Sequence, residues 1–316
     1  MAIDWPRVWQ KRTLVSYLLL PLSALYWLGW TSYALVYRLG LKKSYRASIP
    51  VVTVGNLRVG GSGKTPATIH LVKVLRALGF SPAISLSGYG FPASESATLA
   101  PAGELPVEHW GDEAILFREA LPDIPLIVGR DRVAAAKIAE SSGVSVLLMD
   151  DGFQHLRLAQ SIALILDDQP GDNRFCLPAG PYREPRGLGY QRAAAVIPLD
   201  FQVEREFGWQ QDGVVPGKVS VVTAIAKPEA LISRLRQEGF TIENVIAKED
   251  HNPLDAEELL AEFPTDIPIV TTMKDWVKLR RRQDIGRWTT WVTDYHITIQ
   301  PEDAFAEWLR KKLNER

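Results

Sequence analysis

The chain has 316 residues, 46% hydrophobic and 23% charged, which suits one large globular domain or two modest ones and excludes a disordered, collagen-like or heptad-fibre protein. Lys and Arg total 36 against 37 Asp and Glu, so no basic field points toward nucleic acid. The single cysteine, Cys176, forms no internal disulfide, which fits a reducing compartment and a small buried apolar role rather than a nucleophile.

No charged side chain stands between Arg12 and Arg38. As one helix, residues 13–37 would run roughly 35–40 Å at about 1.5 Å per residue, enough to cross a hydrocarbon core of about 30 Å. No small-residue cleavage site follows, so a removed signal peptide is not expected. Both flanks are basic, with Arg7, Lys11 and Arg12 before and Arg38, Lys42, Lys43 and Arg46 after, against the charge asymmetry of a spanning helix. Pro21, Gly29 and the aromatics Tyr26, Trp27, Trp30, Tyr33 and Tyr37 suit a helix lying at or dipping into the interface. Membrane contact is the expectation, and its depth stays open between spanning and interfacial; a buried core helix is the bland alternative.

From Ser48 short apolar runs alternate with helical stretches. Ile49–Val54 reads as a buried strand entering a glycine-rich turn, and Ala67–Leu78 as a helix with Ile69, Val72, Leu75 and Leu78 on one face and Gly79 as its stop. Further strands are expected at Ala83–Leu86, Pro125–Val128, Val144–Met149 and Ile162–Leu166, with helices at Asp112–Ala120 and Arg132–Ser141 between them, the alternation of a parallel α/β sheet. Asp168–Arg192 is rich in proline and glycine and has no period, a length of loop that is usually functional. Beyond it, strands at Ala193–Pro198, Val219–Thr223, Val245–Ala247 and Ile267–Thr271 and helices at Lys227–Gln237 and Asp255–Glu262 form a second α/β unit. The expected organisation is a membrane-associated helical segment at 1–47, a P-loop-type parallel sheet domain at 48–200 and a smaller α/β domain at 201–316.

The strongest chemical signal is Gly55-Asn56-Leu57-Arg58-Val59-Gly60-Gly61-Ser62-Gly63-Lys64-Thr65-Pro66. Phosphate binding needs backbone N–H groups aimed inward, which glycines permit, and the positive end of a following helix. Gly60, Gly61, Ser62, Gly63, Lys64 and Thr65 are the expected nucleotide cradle, with Lys64 reaching the outer phosphates, the Thr65 hydroxyl ligating Mg²⁺, and Pro66 in a first helical turn. Arg58 stands where the strict pattern asks for glycine. The apolar run Val144–Met149 then ends in Asp150-Asp151-Gly152-Phe153-Gln154-His155. A carboxylate at the edge of the neighbouring strand is what a phosphate-bound Mg²⁺ needs. Gly111-Asp112-Glu113 reads equally as an acidic helix start or as a carboxylate placed to deprotonate an acceptor hydroxyl, and Asp250-His251 as surface or as a base with its partner. Arg130-Asp131-Arg132 and Arg183-Glu184-Pro185-Arg186 are solvated surface by default, or forks for a second phosphate. Arg280-Arg281-Arg282 reads as a solvated helix end.

Taken in order, GNLRVGGSGKTP, GDE, DDGFQH, LPAGPYREP and an Asp-His followed by TTMKDWVKL resemble the tetraacyldisaccharide 4′-kinase family of lipid A biosynthesis over nearly the whole chain. The resemblance implies transfer of the γ-phosphate of ATP to the 4′-hydroxyl of a lipid A disaccharide precursor bearing an anomeric phosphate, at the cytoplasmic face of the bacterial inner membrane, by two α/β domains with a cleft between them. It implies that Asp112 pairs with His251 as base, that Asp150 and Asp151 serve the metal and the attacking group, and that Tyr89, Arg132, Arg183 and Glu184 meet the substrate. Three positions depart from the family: Ser87 stands for arginine before Gly-Tyr-Gly, Ala114 for proline after GDE, and Asn252 for a second histidine. The rival reading is a membrane-associated P-loop ATPase switch; such switches carry lysine where Val59 stands and have no use for PAGPYREP. No nucleic acid and no protein partner is expected.

Overall fold

The computed structural model describes residues 5–315 except 61–62, 168–170, 226, 250–251 and 257. The charge-free N-terminal stretch is broken in two. After α1 (Trp5–Gln10), α2 (Leu14–Leu18) begins where Thr13 and Ser16 exchange capping hydrogen bonds, and α3 (Leu20–Arg38) restarts with Pro21 in its first turn. At about 1.5 Å per residue α3 measures roughly 28 Å. No helix among the described residues is long and apolar enough to cross a membrane. One side of α3 is tied to the protein: Ser23 Oγ donates to the carbonyl of Cys176 (2.8 Å) and the Tyr26 hydroxyl to that of Arg183 (2.6 Å). Leu14, Leu18, Leu22, Leu25 and Leu28 remain exposed.

The first sheet is assembled from β1 (Val51–Gly55), α4 (Lys64–Ala77), β2 (Pro82–Leu86), β3 (Thr98–Leu99), α5 (Val107–Trp110), α6 (Asp112–Ala120), β4 (Leu126–Val128), α7 (Arg132–Ser141), β5 (Val146–Asp150), β6 (Ile162–Leu166), α8 (Arg186–Arg192) and β7 (Ala195–Ile197). Its seven strands lie in the order β3-β4-β2-β5-β1-β6-β7, parallel except for the edge strand β3. Apolar runs such as IALIL are buried on both faces, as a helix-covered parallel sheet requires. Successive residues alternate between two cores: Val52 and Val54 pack under Leu71 of α4 and Ile115 of α6, while Val51 and Leu147 pack against Ala135, Ala136 and Ala139 of α7. From β1 the chain moves to β2 on one side and, after β5, to β6 on the other. The carboxyl ends of β1 and β5 are thus a topological switch point, where open α/β sheets take ligands.

A second sheet follows from β8 (Gln202–Trp209), β9 (Lys218–Thr223), α9 (Pro228–Gln237), β10 (Thr241–Ala247), β11 (Ile269–Thr272), α10 (Met273–Leu279), β12 (Thr290–Gln300) and α11 (Glu302–Asn314). The order is β10-β9-β11-β12-β8, with β8 antiparallel to β12 in unbroken register from Gln202↔Gln300 to Trp209↔Thr293. β12 and α11 tie the two sheets together: Ile297, Ile299, Phe305, Leu309 and Leu313 lie in the same core as Val52 and Leu71.

Two expectations are corrected here. No helix forms at 255–262: the described residues make turns closed by bonds such as Leu259 N–H to Ala256 O and Ala261 N–H to Glu258 O. Pro253 and the left-handed Leu254 (φ 58°) stand before the segment and Pro264 after it, and Leu259, Leu260 and Phe263 are buried from turns rather than from a helix face. Arg280–Arg282 is not a solvated end. Arg280 pairs with Glu119 of α6, Arg281 Nη1 with Glu108 Oε1 of α5 (2.7 Å), and Arg282 with Asp284 (2.8 Å) and the carbonyls of Leu254 and Ala256.

Candidate active site

The loop between β1 and α4 opens at Gly55, where an added Cβ would stand 2.5 Å from Phe153 Cβ, so glycine lets the Asp150–Phe153 turn lie against it. Gly60 (φ 104°) and Gly63 (φ 78°) take left-handed backbone, and Gly63 leads directly into α4. Gly61 and Ser62, two members of the expected cradle, lie outside the described residues. Lys64 and Thr65 occupy the first turn of α4.

Strand register decides what faces that loop. Val54 pairs with Asp150, so the acid pair at the end of β5 emerges beside the end of β1. Asp150 is buried and accepts a hydrogen bond from Thr68 Oγ1 (2.8 Å), one turn along α4 from Lys64. Burial, then the negative charge of Glu113 and Asp151 against the pull of Lys64, pushes its carboxyl up to about 7. Asp151 has left-handed backbone (φ 51°), which turns its carboxylate back toward Lys64 Nζ (3.7 Å) and onto Arg183 Nη1 (2.8 and 3.0 Å). Its carboxyl is held below the usual range by Lys64 and Arg183 although burial opposes the shift. Asp151 is thus an ion-paired carboxylate beside Lys64 and Arg183, and Asp150 a buried carboxyl crowded by Glu113 and Asp151.

Arg132 and Glu184 were expected at the substrate, and the structure turns both inward. Arg132 is buried, its Nη1 on Ser85 Oγ (2.8 Å) and its Nη2 on the carbonyl of Asp150 (3.0 Å), and desolvation brings its guanidinium down to about 10. It braces the backbone of the acid pair. Glu184 is fully buried and accepts from Gln154 Nε2 (2.9 Å) while pairing with Arg192, so it locks the PAGPYREP loop to the DDGFQH turn. Arg183 is left facing Asp151, its N–H bonded to the carbonyl of Leu57 (2.7 Å). Tyr89 is 78% exposed, with Arg130 Cζ 4.8 Å from its ring centre.

Asp112 begins α6, buried, with Oδ2 3.4 Å from Lys278 Nζ of α10. His251 and Asp250 lie outside the described residues; the next residue, Asn252, gives its carbonyl to the same Lys278 Nζ (3.1 Å). Cys176 is buried, its thiol pushed up to about 11 by desolvation, as a structural cysteine should be. Thr68, Ser85 and Lys278 were not singled out from the sequence. Thr68 carried a signal, four residues after Lys64 on one helix face, and Lys278 lies in the TTMKDWVKL run quoted for the resemblance; Ser85 reaches the site through folding alone.

The family model described as tetraacyldisaccharide-1-P 4′-kinase, LpxK, matches residues 15–212 and 206–314. The tetraacyldisaccharide 4′-kinase of Herminiimonas arsenicoxydans is 33% identical over 343 residues, covering 97% of this chain and 94% of its own length. That of Janthinobacterium sp. (strain Marseille) is 34% identical over 339 residues, covering 98% and 95%. The crystal structure of "apo" form LpxK from Aquifex aeolicus in complex with ATP matches with a TM-score of 0.77 over 95% of this chain and 100% of that one; at 23% identity this likeness speaks for the fold. Matched nearly end to end by the family model and by relatives above 30% identity, the chain belongs to the tetraacyldisaccharide-1-P 4′-kinase family.

Proposed function

We propose that the chain transfers the γ-phosphate of ATP to the 4′-hydroxyl of a tetraacyldisaccharide 1-phosphate, a lipid A precursor, at the junction of β1, β5 and α6. The observation that carries this reading is the Val54–Asp150 register, which sets an acid pair and Lys64 beside a glycine loop at the sheet's switch point. Gly60–Thr65 cradle the nucleotide, and Lys64 moves from Asp151 to the phosphates when they arrive. Phosphoryl transfer asks for positioning and charge neutralisation rather than covalent help.

Mg²⁺ fits the donors present. Thr65 and Asp150 offer hard oxygens, and the carboxyl of Asp150 is crowded by Glu113 and Asp151. No group of three or more His, Cys, Asp or Glu among the described residues is set to hold a metal by itself. Mg²⁺ needs none, since one or two side chains, phosphate oxygens and water complete its shell. When bound it neutralises charge on the phosphates. Asp112, with His251 as its partner, accepts the proton of the sugar hydroxyl, and Arg183 and Tyr89 meet the acceptor. Asp151, clamped by Arg183, stays ionised beside the reacting groups.

The bare leucines of α2 and α3, beside Lys11, Arg12 and Arg38, lie on the cytoplasmic face of the inner membrane and keep the cleft at headgroup depth. The two lobes, 48–200 and 201–316, close on nucleotide and acceptor from opposite sides, with 1–47 as the membrane-facing segment.

Purified protein given labelled ATP, Mg²⁺ and the disaccharide precursor is expected to place the label on the 4′-oxygen. Hydrolysis that ignores the acceptor would favour the ATPase switch, and an unlabelled precursor would end the kinase reading.

A further inference from the structure

The acceptor proposed above carries a 1-phosphate, and Arg132, which the resemblance offered for the substrate, is turned inward. Cations without a counter-charge stand elsewhere. A cavity of about 650 Å³ opens between the turn that joins α1 to α2 and the proline- and glycine-rich loop, lined by Lys11, Arg12, Gly171, Asp172 and Arg174. Arg58 of the β1–α4 loop reaches the same wall, its Nη2 3.0 Å from where a Cβ on Gly171 would stand. Among the described residues none of these four cations pairs with a carboxylate, Asp172 included. The walls are tied together. Asn173 is wholly buried: its Nδ2 donates to the carbonyls of Val8 (2.7 Å) and Ala179 (2.8 Å), and its Oδ1 accepts the N–H of Phe175 (3.0 Å). Arg12 Cζ lies 5.4 Å from the centre of the Phe175 ring, and Arg58 Cζ 5.8 Å from that of Tyr182, so both guanidinium groups rest on aromatic faces.

We infer that this cavity is the subsite for the 1-phosphate of the acceptor, with Lys11, Arg12, Arg58 and Arg174 as its cations. The inference rests on the kinase reading above. Guanidinium forks match phosphate oxygens in pairs and an ammonium adds a point charge; together they exceed the charge of a phosphate and of Asp172. The backbone relates the cavity to the reacting end. Arg58 and Tyr182 form a bridge flanked by Arg183 N–H to Leu57 O (2.7 Å) and Val59 N–H to Pro181 O (2.9 Å). Along it Arg183 turns to Asp151 and Arg58 toward Gly171, so the paired loops offer a guanidinium to each end of a disaccharide. Leu14 and Leu18 of α2, which follow Arg12 in the chain, are bare and give acyl chains an apolar surface beside the cations. A phospholipid headgroup carries the same phosphate chemistry. The acceptor is the occupant favoured, because Arg58 comes from the loop expected to hold the nucleotide, and a headgroup site needs no residue from there.

The test compares the tetraacyldisaccharide 1-phosphate with the same disaccharide lacking that phosphate, both dispersed in detergent. Each is given to the wild-type chain and to Arg12→Gln/Arg174→Gln. The wild type is expected to prefer the phosphorylated acceptor by about 10²-fold in kcat/KM, the worth of a pair of charge-assisted contacts. In the double variant the preference is expected to fall to about tenfold or less through KM for the acceptor, with KM for ATP within about twofold. An unchanged preference in a variant that melts like the wild type, or equal losses on both acceptors, overturns the inference and leaves the kinase reading standing. So does a wild type indifferent to the 1-phosphate. Sedimentation with phosphatidylglycerol vesicles separates the other source: weaker vesicle binding beside an unchanged acceptor preference assigns the cavity to a bilayer headgroup and overturns the inference as well. A wild type that phosphorylates neither acceptor ends the kinase reading, and this subsite with it. Should the double variant fail to melt cooperatively, Lys11→Gln, at an exposed side chain outside any helix, decides: its preference is expected to fall about threefold, the effect of one exposed charge, and an unchanged value overturns the inference.

Discussion

Lys64 and Asp112 sit on different helices and do different work, and their replacement separates the two. On the proposed mechanism Lys64→Ala would remove charge neutralisation and Asp112→Ala proton acceptance; each is expected to lower kcat at least about 10²-fold with the melting transition retained. Unchanged turnover in Asp112→Ala would take that residue out of the mechanism. Glu184 is a contrasting case. It lies fully buried between Gln154 and Arg192, so Glu184→Ala removes their shared carboxylate and leaves Gln154 only the carbonyl of Asn56 and Arg192 only that of Phe153. The expected cost is about 2–3 kcal/mol in urea unfolding, below the loss for a wholly buried pair because Arg192 is a quarter exposed. A change under about 0.5 kcal/mol would mean that the loop is held elsewhere. The family resemblance offered Arg132 and Glu184 as substrate ligands; what a guanidinium or carboxylate faces depends on burial, which no local pattern carries.

At the scale of elements, α4 is the member the site depends on, because it carries Lys64 and Thr65 at one end and is pinned at its middle by β12. The pin is His70, whose Nε2 accepts the N–H of Ile299 (3.2 Å) while its ring stacks on Phe305. Only the neutral imidazole can accept there, and burial, ahead of the charge of Lys73, holds it below the ordinary histidine value. The unfolded chain therefore binds the proton more readily. This contribution is complete above about pH 6.5 and is lost as the pH falls through the lowered native value. The melting temperature is expected to drop between pH 7.5 and 5.5, and His70→Gln, which keeps an acceptor but does not titrate, to flatten that drop. An identical pH slope in the variant would dismiss His70 as its source. The same packing explains why the single apolar stripe read on α4 was too narrow: Ala67, Thr68, Leu71, Val72 and Leu75 are all buried, since the helix is covered by the first sheet and by β12.

For the whole molecule the decisive feature is the two-sided N-terminal segment. Ser23 and Tyr26 fasten α3 to the loop that carries Arg183, so deleting residues 1–40 would disturb the site as well as remove the exposed leucine face. A cleaner experiment changes only the exposed side. Leu18→Glu, Leu22→Glu and Leu25→Glu together are expected to weaken binding to anionic vesicles at least about tenfold while leaving the melting temperature and the rate on detergent-dispersed acceptor nearly unchanged. Equal loss on vesicles and in detergent would count against a docking role for this face.

Much was legible in the chain itself because it is written locally. Apolar runs bounded by turns marked β1, β2, β5 and β6, and GGSGKT between a strand and a helix marked the loop, since backbone sterics and hydrophobic period act within a few residues. β8 was not legible: QVEREFGW is a half-exposed, charged edge strand that pairs with β12 some ninety positions away, and its pattern names no partner. α11 had a signal in Phe305, Leu309 and Leu313 at four-residue steps, but nothing to say that this face completes the core of the first sheet. Tertiary structure alone decided that one side of α3 is tied to the loop of Cys176 and Arg183, that Arg132 and Glu184 turn inward, and that Lys278 meets Asp112. Each of these follows from which surfaces exclude water from one another, and that is settled between segments far apart in sequence rather than within any one of them.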